Sequence, residues 1–242
     1  MVGTLLVPEG AQLVPGVVTL HGFRGNRQEP HITAVADAIA WGGLVTLRVD
    51  LTNNLGESEG SFRDLTVSGE VSDAMDALAY LSGLATVDSA RTGITGHSLG
   101  GLVAALAAGQ SQVKAVVTLS AVYEMAPRLQ AMLGERFPDW ERAGEIEMDP
   151  PGCGVVLGYQ FYEDLVRQDV ARALSGLHAP PRIVHGEDDV GVPVEDARRF
   201  HGGAASPEKD LVLLPGADHG YSKDADLMKV CLYTAEWFRR WL

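Results

Sequence analysis

The chain has 242 residues, with 19 Lys plus Arg against 32 Asp plus Glu, a formal net charge of −13. Apolar residues make up 46% and charged residues 21%, which is the composition of a globular chain and not of a disordered one. The acidic balance argues against nucleic acid and against an anionic membrane surface as partners, and no run approaches the roughly 18 apolar residues of a membrane span.

From the N-terminus, MVGTLLVPEG has neither a basic start nor a long apolar run and does not read as a signal peptide. Short β-type runs follow at Gly3–Val7, Val17–His21, Leu44–Asp50, Thr92–Gly96, Val113–Ser120, Arg182–His185 and Asp210–Leu214. Helical patterns separate them at Pro30–Trp41, Thr66–Leu81, Leu99–Ala108, Pro193–Phe200 and Ala225–Trp241. The first of these opens on Pro and stops before Gly42-Gly43, in keeping with helix start and stop chemistry. Runs such as Val116-Val117-Thr118-Leu119 are apolar on both faces, as a parallel strand covered by helices on both sides requires. The alternation predicts a single α/β domain over residues 1–242, with a mostly parallel sheet flanked by helices. From about Tyr123 to Gly176 the rhythm breaks. No strand is expected there, only two or three helical stretches around Pro127, Pro138 and the Pro150-Pro151-Gly152 punctuation. This interval is expected to form a small helical cap over the C-terminal edge of the sheet, where open α/β sheets bind ligands. Cys153 and Cys231 are far apart and outside any CxxC spacing, so two free thiols in a reducing, cytoplasmic compartment are expected.

Gly96-His97-Ser98-Leu99-Gly100 fits G-x-S-x-G between a strand run and a small-residue helix, the context that gives this motif its meaning. A tight turn there lifts Ser98 to the edge of the sheet, and the following helix N-terminus favours a developing oxyanion. A serine hydroxyl needs a base. Of seven histidines, His219 lies in a Gly-flanked loop after the last strand run and is the preferred base. His21 and His185 end strands, and His97 is committed to the turn. His31, His178 and His201 read as solvated or capping residues. The orienting carboxylate falls among Glu187, Asp188 and Asp189, and the order Ser…Asp…His is met by Asp188 or Asp189. The oxyanion donors are expected to be the backbone N–H groups of Leu99 and, from the loop after an early strand, Phe23, with Gly22 as the alternative register.

With these residues in place, the sequence resembles the serine hydrolases of the α/β-hydrolase fold. The resemblance rests on HGF at His21–Phe23, HSLGG at His97–Gly101, HGEDDVGVP at His185–Pro193 and GADHGY at Gly216–Tyr221. The family's usual HGxxDxxVP pattern aligns its acid with Asp189. The chain starts close to the first strand shared with the family, so the resemblance leads to the expectation that one edge strand of longer relatives is missing. A narrower similarity, to the cinnamoyl and feruloyl esterases, is carried by His21-Gly22-Phe23-Arg24-Gly25-Asn26, by Asp50 with Leu55–Phe62, by Thr66-Val67-Ser68 and by Glu70-Val71. The usual turn of that group is replaced here by Asn53-Asn54-Leu55-Gly56.

The reading that results is a carboxylesterase using Ser98, His219 and Asp189 through an acyl-enzyme on neutral, small to medium acyl or aryl esters, with no metal and no other cofactor. Phe137, Trp140, Tyr159, Phe161 and Tyr162 are candidates to line the substrate pocket or to pack the cap itself. The alternatives are a peptidase, thioesterase, C–C hydrolase or acyltransferase on the same residues, or a ligand-binding homologue without turnover.

Overall fold

In the computed structural model, which describes residues 1–148 and 152–242, neighbouring side chains of one strand enter opposite cores. Val17 and Val18 do so, as do Val116 and Val117, and Ile183 and Val184. This period-two alternation with both faces apolar is what a sheet between two helical layers needs. The strands of that sheet are β1 (Val2–Leu6), β2 (Val14–Leu20), β3 (Val45–Asp50), β4 (Val87–His97) and β5 (Ala115–Leu119). After a separate hairpin of β6 (Glu145–Glu147) and β7 (Val156–Gly158), β8 (Pro181–Gly186) and β9 (Asp210–Leu214) complete it. Their spatial order is β1-β3-β2-β4-β5-β8-β9, with β1 antiparallel and every other pair parallel.

Helices α1 (Pro30–Trp41), α2 (Val67–Ser82) and α3 (Leu99–Ala108) follow β2, β3 and β4. The connection from β5 to β8 carries α4 (Met125–Leu133), α5 (Phe137–Ala143), α6 (Gln160–Leu165) and α7 (Val170–Ser175), and α8 (Val194–Gly203) and α9 (Asp224–Trp241) close the fold. One face of the sheet is covered by α1 and α9 through Val35, Ile39, Trp237 and Phe238. The other is covered by α2, α3 and α8 through Leu78, Leu102 and Phe200. Local chemistry sets the boundaries. Thr66 caps α2 by accepting the Gly69 N–H, so that helix starts one residue later than the periodicity suggests. The polar stretch Asp88–Arg91 hides the first half of β4, which begins at Val87.

The β5–β8 connection departs from expectation. Among the described residues it contains the antiparallel pair β6–β7 where no strand was expected, and four α-helices instead of two or three helical stretches. Three-residue strands are too short to display a period, and Glu145-Ile146-Glu147 reads as polar. The hairpin's ladder continues past both strands, with Met148 N–H donating to the Val155 carbonyl and Tyr159 N–H to that of Gly144, and Arg63 pairs with Glu145 at 2.7 Å from outside it. Pro150 and Pro151 of the expected punctuation lie outside the described residues. Cys153 and Cys231 are free thiols. Among the described residues no helix is long and apolar enough to cross a membrane.

Candidate active site

Ser98 occupies the turn between β4 and α3 with φ 55° and ψ −119°, a region that L-residues seldom visit. Close packing makes the turn possible. A Cβ on Gly96 would run into the Gly100 carbonyl, and one on Gly100 into the carbonyl of His21. The Ser98 N–H is tied to the Leu119 carbonyl at 2.9 Å, so β5 holds the turn at the sheet edge.

His219 follows β9 in the loop before α9, and its Nε2 lies 3.0 Å from Ser98 Oγ. Its Nδ1 lies 2.7 Å from Asp189 Oδ2. The other oxygen of Asp189, Oδ1, accepts the backbone N–H groups of Gly191 and Val192 at 2.9 and 2.8 Å. The Asp189 side chain is fully buried, whereas Glu187 and Asp188 are exposed. Of the three adjacent acids, Asp189 is therefore the one in contact with the imidazole. Burial works against the Asp189 carboxylate, but the hydrogen bonds from His219 and from the Val192 N–H outweigh it and hold its pKa below the ordinary aspartate range.

Three further histidines brace this arrangement. His97, next to Ser98, has Nε2 2.8 Å from the His219 carbonyl, and a carbonyl accepts only from N–H, so Nε2 carries the proton. Burial, together with His31 and His219 nearby, holds the pKa of His97 well below the usual histidine value. His185 donates from Nε2 to the Val192 carbonyl at 2.8 Å and lies 3.6 Å from Asp189 Oδ2, steadying the loop after β8. His21 accepts the Leu51 N–H at Nε2 (3.1 Å) and donates from Nδ1 to the Gly22 carbonyl (2.9 Å), which anchors the loop after β2 to the end of β3. That loop abuts the Ser98 turn, since a Cβ on Gly22 would come within 3.1 Å of Ser98 Cβ.

The expectation for His31 does not hold. It is neither solvated nor a cap, but packs edge-on against the His97 ring at 4.3 Å. Burial, then the nearby His219 and His21, bring its pKa down to about 4. His178 is exposed and His201 half-buried, both remote from the Ser98 cavity lining.

A cavity of about 380 Å³ opens beside Ser98 and His219. Its apolar walls are Phe23, Val122, Met125, Leu129, Met132 and Val192, and Arg128 stands among them. Of the two roles open to Phe137, Trp140, Tyr159, Phe161 and Tyr162, pocket lining or cap packing, the structure shows packing, since none of the five is part of this lining. Phe137, Trp140, Tyr159 and Tyr162 pack on one another, with centroids as close as 4.9 Å for Phe137–Tyr162 and 5.2 Å for Trp140–Tyr159. The buried Trp140 indole donates to the Leu157 carbonyl at 3.0 Å. Phe161 reaches the site only through Phe23, on which it stacks at 5.4 Å. These rings join α5 and α6 to the core beneath them: Trp140 and Phe161 belong to the same buried cluster as Leu102 and Ile183, and Phe137, Tyr159 and Tyr162 pack against it. The bracing histidines at strand ends stood beside glycines in the sequence. The His97–carbonyl bond and the position of Arg128 left no sequence signal.

A model of the prolyl oligopeptidase family matches residues 58–242. The chain belongs to that family. As a member of the prolyl oligopeptidase family it is a serine hydrolase of the α/β-hydrolase fold, and solved structures resemble it over nearly its whole length. Est1E from Butyrivibrio proteoclasticus, in its structure with ferulic acid bound, is 27% identical, with a TM-score of 0.86 over 99% of this chain and 94% of that chain. A 31.7 kDa protein of the traX–finO intergenic region of Escherichia coli is 23% identical over 99% of this chain and 95% of its own. The mitochondrial palmitoyl-protein thioesterase ABHD10 of Rattus norvegicus is 22% identical over 88% of this chain and 71% of its own. Residues 1–57, with the His21–Asn26 loop, precede the part matched by the prolyl oligopeptidase family model.

Proposed function

We propose that this hydrolase cleaves carboxylic esters of small to medium acyl or aryl groups, with Ser98 as nucleophile, His219 as general base and then acid, and Asp189 as the group that orients the imidazole. The observation that carries this reading is the unbroken chain Ser98 Oγ–His219 Nε2 (3.0 Å) and His219 Nδ1–Asp189 Oδ2 (2.7 Å) at the edge of a cavity. As Ser98 Oγ attacks the ester carbonyl, its proton passes to His219 Nε2, and the buried Asp189 carboxylate stabilises the imidazolium. The backbone N–H groups of Leu99, at the start of α3, and of Phe23, in the loop held against Ser98, are the proposed oxyanion donors. His219 then protonates the leaving alcohol, and water activated by the same imidazole cleaves the acyl-enzyme. The β5–β8 connection acts as the cap of one domain, with α4 forming the wall opposite Ser98. The ferulic acid bound to Est1E makes hydroxycinnamate esters a specific substrate class to try. Two free thiols fit a cytoplasmic location.

The test is steady-state hydrolysis of p-nitrophenyl acetate, butyrate and octanoate and of methyl ferulate, with Ser98→Ala beside the wild type. We expect turnover in the wild type and a loss of at least ~10⁴-fold in the variant. Unchanged turnover in Ser98→Ala would sink the assignment. The family match gives one other bond a specific standing, the amide, and the thioesterase relative a second, the thioester. Peptidyl p-nitroanilides and an acyl thioester in the same panel separate these: faster cleavage of either than of the esters would move the reading to that bond.

A further inference from the structure

Arg128 breaks the apolar character of the cavity beside Ser98. Apart from His219, it is the one ionisable side chain among the residues that line it. Its guanidinium does not stand free. Nη2 donates to Asp196 Oδ2 at 2.8 Å, and that same oxygen accepts the Tyr123 N–H at 2.8 Å. The Asp196 side chain is 6% exposed and that of Arg128 28%, so the pair is anchored on the α8 side and open on the cavity side. The anchoring leaves donors over. Arg128 Nε is buried and has no hydrogen-bond partner among the described residues. A guanidinium carries five N–H donors, and a buried donor without a partner is costly to leave unmade. Nε itself is closed off from the cavity, so the donors a substrate can reach are those on the exposed part of the guanidinium, which lines the cavity beside the proposed nucleophile; a site that hydrogen-bonds a substrate oxygen rejects analogues that lack it.

The charge balance narrows the acceptor. Arg128 is matched by Asp196, and the neighbouring Arg199 by Glu124 at 2.7 Å, so the positive charge on this wall is already compensated. A second carboxylate from the substrate would enter a largely apolar cavity of a protein with net charge −13 and leave one negative charge uncompensated. A neutral oxygen takes the spare N–H without that penalty. Resting on the ester-hydrolase reading above, we propose that Arg128 is a specificity-determining residue that selects esters carrying an uncharged oxygen acceptor, a ketone or hydroxyl, a few bonds from the scissile carbonyl.

The experiment compares kcat/KM for ethyl alkanoates and their 4-, 5- and 6-oxo counterparts, for a second series with the ketone in the alkoxy chain, and for half-esters of succinate and glutarate. Arg128→Lys is run beside the wild type. Lysine keeps a cation for Asp196 but lacks the planar fork of N–H donors that the guanidinium presents to the cavity. Arg128→Met, which would leave Asp196 buried without its partner, is avoided. The wild type is expected to prefer one oxo ester over its alkyl counterpart by on the order of 10-fold, and Arg128→Lys to bring that ratio close to one at an unchanged melting temperature. An absent oxo preference in both series, or a preference that survives in Arg128→Lys, overturns the proposal while plain alkanoate turnover still upholds the esterase reading. Half-esters that outrun the oxo esters overturn the neutral-acceptor class. If the wild type cleaves no ester at all, both readings fall together.

Discussion

The two walls of the cavity are built by different means. On one side, Ser98, Asp189 and His219 stand after the ends of parallel strands, held respectively by the Leu119 carbonyl of β5, by the Val192 N–H in the loop after β8 and by the His97 ring that donates to the His219 carbonyl. On the other side, α4 belongs to a connection of short helices and a three-residue hairpin, held by packed rings and by the Arg128–Asp196 pair. Met125 there is half-buried and Met132 exposed. Strand ladders fix atoms to fractions of an ångström, as proton transfer demands. Packed rings and methionines fix a surface more loosely and tolerate exchange. On the proposed function, the difference assigns the chemistry to the sheet and the selectivity to the connection.

Substitutions on each side sharpen that contrast. The largest effect is expected from Asp189→Asn, a fall in kcat of about 10⁴-fold with KM little changed, because the amide cannot stabilise the imidazolium or hold its tautomer. Trp140→Ala, behind the opposite wall, removes a fully buried indole and should lower stability by about 3–5 kcal/mol in chemical denaturation. Its effect on activity should appear in KM more than in kcat, and a kcat loss as large as that of Asp189→Asn would erase the distinction between the walls.

The sheet side has a pH-sensitive element of its own. Glu70, in the first turn of α2, is buried, and burial raises its pKa to about 8 even though Asn54 donates to it at 2.7 Å. The folded protein thus holds a proton on Glu70 that the unfolded chain releases near pH 4.5. Between pH 4.5 and 8 the unfolded state binds fewer protons, so stability declines as pH rises, by at most about 1.4 kcal/mol per pH unit. Glu70→Gln should flatten that decline in melts recorded from pH 5 to 8, and a parallel pair of curves would count against it. His97→Phe removes the donor to the His219 carbonyl, and kcat should drop roughly 10-fold with KM held, as a lost hydrogen bond of about 1.4 kcal/mol implies. His97→Gln, which restores an N–H donor, should recover part of it. Asp188→Asn is the smallest, within about twofold of wild type, since that carboxylate is exposed.

The same contrast explains what could be read from the sequence. Val116-Val117 and Ile183-Val184 announce a two-sided sheet because burial on both faces leaves a mark in every residue. The Ser98 turn is legible because Gly96 and Gly100 are demanded by direct backbone contact. Composition alone left Glu187, Asp188 and Asp189 equivalent, and only the register of HGEDDVGVP separated them, because what distinguishes Asp189 is where the loop turns inward. The β5–β8 connection was least legible. Its strands are too short for periodicity, and Phe137, Trp140, Tyr159 and Tyr162 look the same in sequence whether they face a substrate or one another. His31 misleads for a related reason: its burial comes from His97, which β4 brings to it from far along the chain.

The register of β5 and β8 has one more consequence. The two strands are direct neighbours, with Val116 opposite Pro181 and Leu119 opposite Val184, so everything between them is a single crossover whose ends are pinned by a ladder. Closing a longer excursion between fixed ends costs little, about 0.6 kcal/mol for each doubling of its length. The ladder therefore leaves room for a shorter, longer or differently shaped segment between the same two strands. In effect the crossover is an interchangeable cassette, and grafting crossovers between relatives is a direct route to new selectivity on an unchanged chemical centre.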